Sequence, residues 1–193
     1  MHDVKRWATS GAPSSAQTEE IAALLRSGGI VLMPTDTIYG LHAVASQSSK
    51  VADIKGRDEA KRFVTIAASA DQAGVEVPDV LRSIWPAPLT AILRSGDSTI
   101  AIRVPALDWL RALLEKTGPL ISTSANRSGD PPVTEPAQLP KALLDRMDGV
   151  VDGGRIEAKP SAIVDFTETE PRFIRNGEPR FTQLLRKTLM KKL

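Results

Sequence analysis

Four apolar residues, Ile30-Val31-Leu32-Met33, stand between the pair Gly28-Gly29 and Pro34. A short apolar run closed on both sides by turn residues reads as a buried strand. Just before it Ile21, Leu24 and Leu25 recur at helical spacing, with Ser15 as the expected cap, so the two glycines end a helix where the strand begins. The alternation then repeats. A short helix after Ser48 turns Val51 and Ile54 inward, "RFVTIAA" is strand-like, and Pro78–Trp85 reads as another short helix. "PLTAILRS" and "STIAIRVP" flank Gly96-Asp97 and predict neighbouring antiparallel strands. An amphipathic helix at Leu107–Lys116 ends at Gly118 before the strand-like "PLISTSA". "NRSGDPPVTEP" is a loop and Leu139–Met147 the next helix, followed by late strands at "SAIVDF" and "RFIR", a turn at Asn176-Gly177 and a terminal amphipathic helix over Phe181–Leu193. This order predicts an α/β fold with a mixed sheet.

With 193 residues, 41% of them hydrophobic, the chain can form one sizeable core, and residues 1–193 read as a single domain. No apolar run approaches the roughly 20 residues of a membrane span, and the opening segment lacks a secretory apolar centre. The expectation is a cytoplasmic protein with no membrane contact. There is no cysteine, and only His2 and His42 could supply imidazole, so cysteine zinc sites, metal clusters and Ser-His-Asp chemistry are poorly supported. The net charge is +2. A pI near 9.0 and the tail residues Arg186, Lys187, Lys191 and Lys192 are compatible with weak electrostatic contact with RNA.

The polar residues at strand ends carry the functional signal. In "PTDTIYGL" an extended backbone would turn Thr35, Thr37 and Tyr39 to one side and Asp36 and Ile38 to the other, unless the stretch is a strand exit with Thr-Asp turn chemistry. In "ISTSAN" the same alternation aligns Ser122, Ser124 and Asn126, and an Asn-Ser-Gly turn is the alternative. Strand ends in open α/β sheets are where ligands bind. In "KGR" a left-handed Gly56 would let Lys55 and Arg57 face one anion; a solvated helix end is the plainer reading. Arg103 in "AIRVP" and Arg175 in "FIRNG" lie in or beside apolar strands. Each needs a carboxylate, phosphate or carbonyl partner, from a ligand or from a structural ion pair. The phosphate-binding patterns GxxxxGK[ST] and GxGxxG are absent.

"GGIVLMPTDTIYGL", "IKGR", "WPAPLTAIL", "AIRVP", "LISTSANRSG" and "SAIVDF…FIRNG" occur in the order found in the YrdC-like threonylcarbamoyl-AMP synthase family, and the resemblance spans roughly residues 18–180. The chain resembles the family's short, single-domain form. That resemblance implies a twisted, open, mixed parallel and antiparallel sheet flanked by helices around a basic cavity. It implies an enzyme joining L-threonine, bicarbonate or CO2, and ATP into threonylcarbamoyl-AMP with release of pyrophosphate. Downstream proteins would transfer the threonylcarbamoyl group to tRNA. Mg2+ would come with the ATP, with no dedicated protein metal site. Lys55, Arg57, Ser124 and Asn126 would be catalytic, and Thr35, Thr37, Tyr39, Arg103, Ser122, Ser161 and Arg175 would bind ATP and threonine.

Three departures are visible. Ile66 occupies the place of a histidine in many relatives, whereas "WPAP" for the commoner "WPGP" and Asp36 for a common glutamate are mild changes. The rival readings are a non-catalytic RNA-binding or ribosome-maturation protein and a carbamoyl-adenylate-forming carbamoyltransferase domain. With aromatics at 4%, platforms for stacking bases are scarce, which counts against the first.

Overall fold

The computed structural model describes residues 4–9, 11–56 and 62–192. Strand β1 (Lys5–Ala8) leads to helix α1 (Ser15–Arg26), then to the hairpin β2 (Val31–Pro34) and β3 (Tyr39–Ala43). Next come α2 (Ser48–Lys55), β4 (Val64–Ile66), α3 (Asp79–Ile84), the hairpin β5 (Leu89–Ser95) and β6 (Ser98–Arg103), α4 (Asp108–Thr117) and β7 (Leu120–Ser124). The chain closes with α5 (Lys141–Leu144), β8 (Gly149–Asp152), β9 (Ala162–Asp165), β10 (Arg172–Arg175) and α6 (Pro179–Lys192).

The ten strands among the described residues join one sheet in the order β1-β8-β2-β3-β7-β4-β6-β5-β9-β10. Four of its pairings are parallel, β1 with β8, β2 with β8, β4 with β6 and β5 with β9. The sheet is therefore mixed, as expected, and the β5–β6 pair is antiparallel, with Thr90 opposite Arg103.

Helices cover the two faces unequally. Along each strand successive side chains change face. On one face Leu32, Leu41 and Val150 pack with Val51 and Ile54 of α2 and Leu143 and Leu144 of α5. Farther along, Ala91, Ile102 and Val164 pack with Leu81 of α3 and Leu185 and Leu189 of α6. On the opposite face Ile21 and Leu25 of α1 and Leu110, Leu113 and Leu114 of α4 cover Val31, Met33, Ile66 and Leu120. The remainder of that face, from β7 through β4, β6 and β5 to β9, lines a cleft.

Local chemistry accounts for most element ends. Ser14, one residue before the expected Ser15, caps α1: its side chain accepts from Gln17 N, and the Gln17 side chain accepts from Ser14 N. Gly56 ends α2 in the left-handed conformation, with φ 58° and ψ 40°. The helix expected over Leu139–Met147 is only Lys141–Leu144, because Pro140 stands at its N-cap and interrupts any continuation from the preceding turn. Strands β1, β3 and β8 were not legible as separate strands in the pattern.

Candidate functional site

The stretch "PTDTIYGL" is the β2–β3 hairpin, with Pro34 opposite Tyr39 and residues 35–38 forming the turn. Thr35 closes that turn. Its N–H donates to Ile38 O at 3.2 Å, its hydroxyl donates to the same carbonyl at 2.8 Å, and Oγ1 accepts from the Thr37 and Ile38 N–H groups at 3.1 and 3.2 Å. With the Thr35 proton committed to Ile38 O, the 3.0 Å contact between the two threonine hydroxyls is donated by Thr37. The Thr37 oxygen then accepts from Arg103 Nη1 at 2.8 Å. Arg103 Nη2 is ion-paired with Asp36. The alternating register expected over 35–39 is thus corrected: a turn, not a strand, carries Asp36 and Thr37 to the same guanidinium. Arg103 is 7% exposed, and burial pushes its pKa down while Asp36 opposes that shift.

Tyr39 reaches another turn. Its ring is buried and lines the cleft, but its hydroxyl donates to Gly154 O at 2.6 Å and accepts from Gly153 N at 3.0 Å. Burial raises its pKa. The hydroxyl therefore braces the chain after β8, and the three hydroxyls do not form one row.

At the end of β7, Lys55 is buried and its ammonium donates to Ser124 O at 2.5 Å and Asn126 Oδ1 at 2.7 Å. Ser124 also donates to Asn126 Oδ1, at 2.6 Å. Lys55 thereby ties the end of α2 to the polar end of β7. Ser122 and Ser124 line the cleft, whereas Lys55 and Asn126 are not among its lining residues. Arg57, the other half of the "KGR" pair, lies outside the described residues.

The opposite wall comes from β5, β9 and β10. Ser161 is buried, with its hydroxyl 2.8 Å from that of Thr90. Arg175 donates from Nε to Ser161 O at 3.0 Å and from Nη2 to Ser161 Oγ at 3.4 Å. Desolvation lowers the Arg175 pKa, and the charge of Arg103 lowers it further. The cleft between these walls measures about 340 Å³. Its lining includes Arg62, Arg103 and Arg175 and, among the described residues, no carboxylate, while Val64, Ala101, Ile92 and Ile163 make an aliphatic floor.

Thr90 and Arg62 were missed in the sequence. Thr90 left a signal, as the one polar residue inside the apolar "PLTAIL". His42 is another residue whose place only the fold reveals. It is fully buried, and burial lowers its pKa from 6.5 to about 4, with the charge of Arg103 acting in the same direction and the backbone of Gly40 and Val31 opposing it. A Cβ at residue 40 would stand 2.8 Å from the His42 ring, so Gly40 is needed to seat that imidazole.

A mixed α/β sheet with one face partly uncovered, and arginines and small hydroxyls along the opening, defines a ligand-binding α/β domain. The chain matches the Sua5/YciO/YrdC family, which carries the description telomere recombination, over residues 23–177, and it belongs to that family. It is 35% identical to a threonylcarbamoyl-AMP synthase of Xanthomonas axonopodis pv. citri, over 76% of this chain and 91% of the relative. It is 31% identical to the threonylcarbamoyl-AMP synthase of Pyrococcus abyssi over 81% of its own length, spanning about half (52%) of that longer protein. The crystal structure of P. abyssi Sua5 complexed with L-threonine superposes with a TM-score of 0.81 at 25% identity, covering 91% of this chain and 57% of that one.

Proposed function

We propose that this chain is an L-threonylcarbamoyladenylate synthase, a nucleotidyltransferase that acts early in the threonylcarbamoyl modification of adenosine in tRNA. The observation that carries the reading is the cleft itself: arginines and small hydroxyls with, among the described residues, no lining carboxylate, on the open face of a sheet shaped like that of P. abyssi Sua5 in a chain similar over most of its length to named synthases. Such a lining suits a carboxylate and a triphosphate held side by side.

In the reaction the threonine amine adds to CO2 and loses a proton to give a carbamate. A carbamate oxygen then attacks the α-phosphorus of ATP, forming the O–P bond as the bond to pyrophosphate breaks and its electron pair leaves with pyrophosphate. No protein nucleophile is required. The chain's task is to align two anions that repel each other and to stabilise charge on the phosphates. Arg175 offers an exposed guanidinium on one wall, Ser161 and Thr90 orient it, and Arg103 with Thr37 and Thr35 forms the other wall. Ser122 and Ser124 supply hydroxyls between them, and Lys55 with Asn126 fixes the end of β7 on which Ser124 stands. Arg57 is assigned to the phosphates on the strength of its motif. Mg2+ would arrive with ATP and neutralise part of the phosphate charge. Among the described residues no group of three or more His, Asp or Glu is placed to hold a metal.

We assign the product to threonylcarbamoyl-transfer proteins that act on tRNA, contact with RNA to weak electrostatics, and the site of action to the cytoplasm. No helix among the described residues is long and apolar enough to cross a membrane. The test is pyrophosphate release measured with ATP while threonine, serine and bicarbonate are each added or withheld. Release is expected only with threonine and bicarbonate together, and more slowly with serine. Release indifferent to threonine, or release that requires carbamoyl phosphate, would point to a different reaction.

A further inference from the structure

The arginine at the back of the cleft brings its own counter-ion. Thr35 closes the turn over residues 35–38, and the turn directs Asp36 and Thr37 at Arg103. Arg103 and Thr37 line the cleft, but Asp36 does not, so the carboxylate stands behind the guanidinium. The contact uses one oxygen and one nitrogen instead of a two-pronged fork: Asp36 Oδ2 and Arg103 Nε are both buried and have no partner among the described residues. Arginine has five N–H donors, and two of them are committed, to Asp36 and to Thr37. The charge of Arg103 is thus balanced before a ligand arrives, while further donors remain on the guanidinium.

We propose that Asp36 is a positioning residue that sets the anion affinity of the cleft, holding Arg103 in one orientation and offsetting its charge so that anionic products are released. The inference rests on the synthase reading of the cleft. Pyrophosphate and the acyl adenylate both leave as anions. An uncompensated guanidinium in a buried, low-dielectric wall would attract them strongly. Tight retention lowers KM without helping the chemical step, and it slows any cycle limited by product release. A counter-ion behind the arginine keeps its directional hydrogen bonds and removes much of the unselective attraction.

The experiment compares the parent with Asp36→Asn, Asp36→Glu and the double variant Asp36→Asn/Arg103→Met. Binding of inorganic pyrophosphate is measured by calorimetry, and threonine-dependent turnover is measured alongside it. Asp36→Asn is expected to bind pyrophosphate about tenfold tighter and to turn over about tenfold more slowly, with a lower KM for ATP. Asp36→Glu keeps the charge and should bring both quantities back toward the parent. A purely structural role would lower turnover without tightening pyrophosphate binding, and a folded Asp36→Asn that binds pyrophosphate no tighter than the parent overturns the proposal. If Asp36→Asn does not fold while the double variant does, the pair serves the fold alone and the proposal is overturned. Failure of both variants to fold would show that Asp36 serves the fold by other means and overturns it too. Failure of the synthase reading shows elsewhere, as pyrophosphate release by the parent that ignores threonine.

Discussion

On one wall of the cleft Arg103 lies 7% exposed against Asp36, while on the other Arg175 is exposed and, among the described residues, donates to the carbonyl and hydroxyl oxygens of Ser161. Both arginines end strands, yet they experience different costs. A buried guanidinium is tolerable only with a partner that offsets its desolvation. At the sheet's edge, water does part of that work, and no carboxylate is paired with Arg175 among the described residues. The contrast teaches that a cleft can present the same side chain twice, once as a set of donors balanced by a carboxylate and once as a charge held by neutral oxygens.

The largest effect should come from Arg103→Leu, which leaves the Asp36 carboxylate buried and alone. Breaking a buried ion pair from one side costs about 3–5 kcal/mol, so chemical denaturation should show a loss of that order, with threonine-dependent pyrophosphate release nearly abolished. A variant as stable as the parent would mean that the wall is not closed by this pair.

Acid should reveal the buried wall next. The unfolded chain protonates His42 near pH 6.5, whereas the folded chain resists until about pH 4. The unfolded state therefore gains protons first as pH falls, and stability declines from about pH 6.5 downward, with about 2 kcal/mol lost by pH 5. Urea unfolding of the parent at pH 7 and pH 5, beside His42→Leu, checks this: the pH dependence should shrink in the variant. An unchanged dependence would assign the acid sensitivity to other groups.

On the open wall, Arg175→Ala should separate activity from stability. Turnover is expected to fall tenfold or more, equivalent to about 1.4 kcal/mol of transition-state stabilisation, with under about 1 kcal/mol lost in stability. If stability dropped as far as in Arg103→Leu, the contrast between the walls would vanish. The smallest effect belongs to Ser14→Ala, which removes the α1 capping box away from either wall. About 1 kcal/mol of stability should go, with pyrophosphate release unchanged. Loss of activity there would show that the cleft is sensitive to any loosening of the sheet's covering helices.

Much of the fold was legible because it is written in local patterns. The turn at Gly96-Asp97 joins two strands that pair with each other, so the β5–β6 hairpin needed no long-range information. The left-handed end of α2 at Gly56 and the inward faces of α1 and α4 follow from residue type and period. Strand β8 was harder to read: Gly149–Asp152 lies between β1 and β2, and its partners are distant in sequence. The motif positions Thr35, Thr37, Ser122, Ser124, Ser161 and Arg175 do converge on one cleft. Their hydrogen-bond partners could not be read, because those depend on what stands opposite.

The sequence by itself determined the alternation of helices and strands, the glycine and proline stops, the family, and which polar residues sit at strand ends; these follow from backbone preferences and the periods of apolar side chains, which act over a few residues. Only the tertiary structure decided which of those polar groups face a ligand and which face each other. Arg103 meets Asp36 across 67 residues of chain, Lys55 meets Asn126 across 71, and the Tyr39 hydroxyl meets Gly154 across 115. Such pairings follow from strand order and burial: once a polar group leaves water it must take a partner from whatever the fold places beside it, and that neighbour is chosen by the whole sheet.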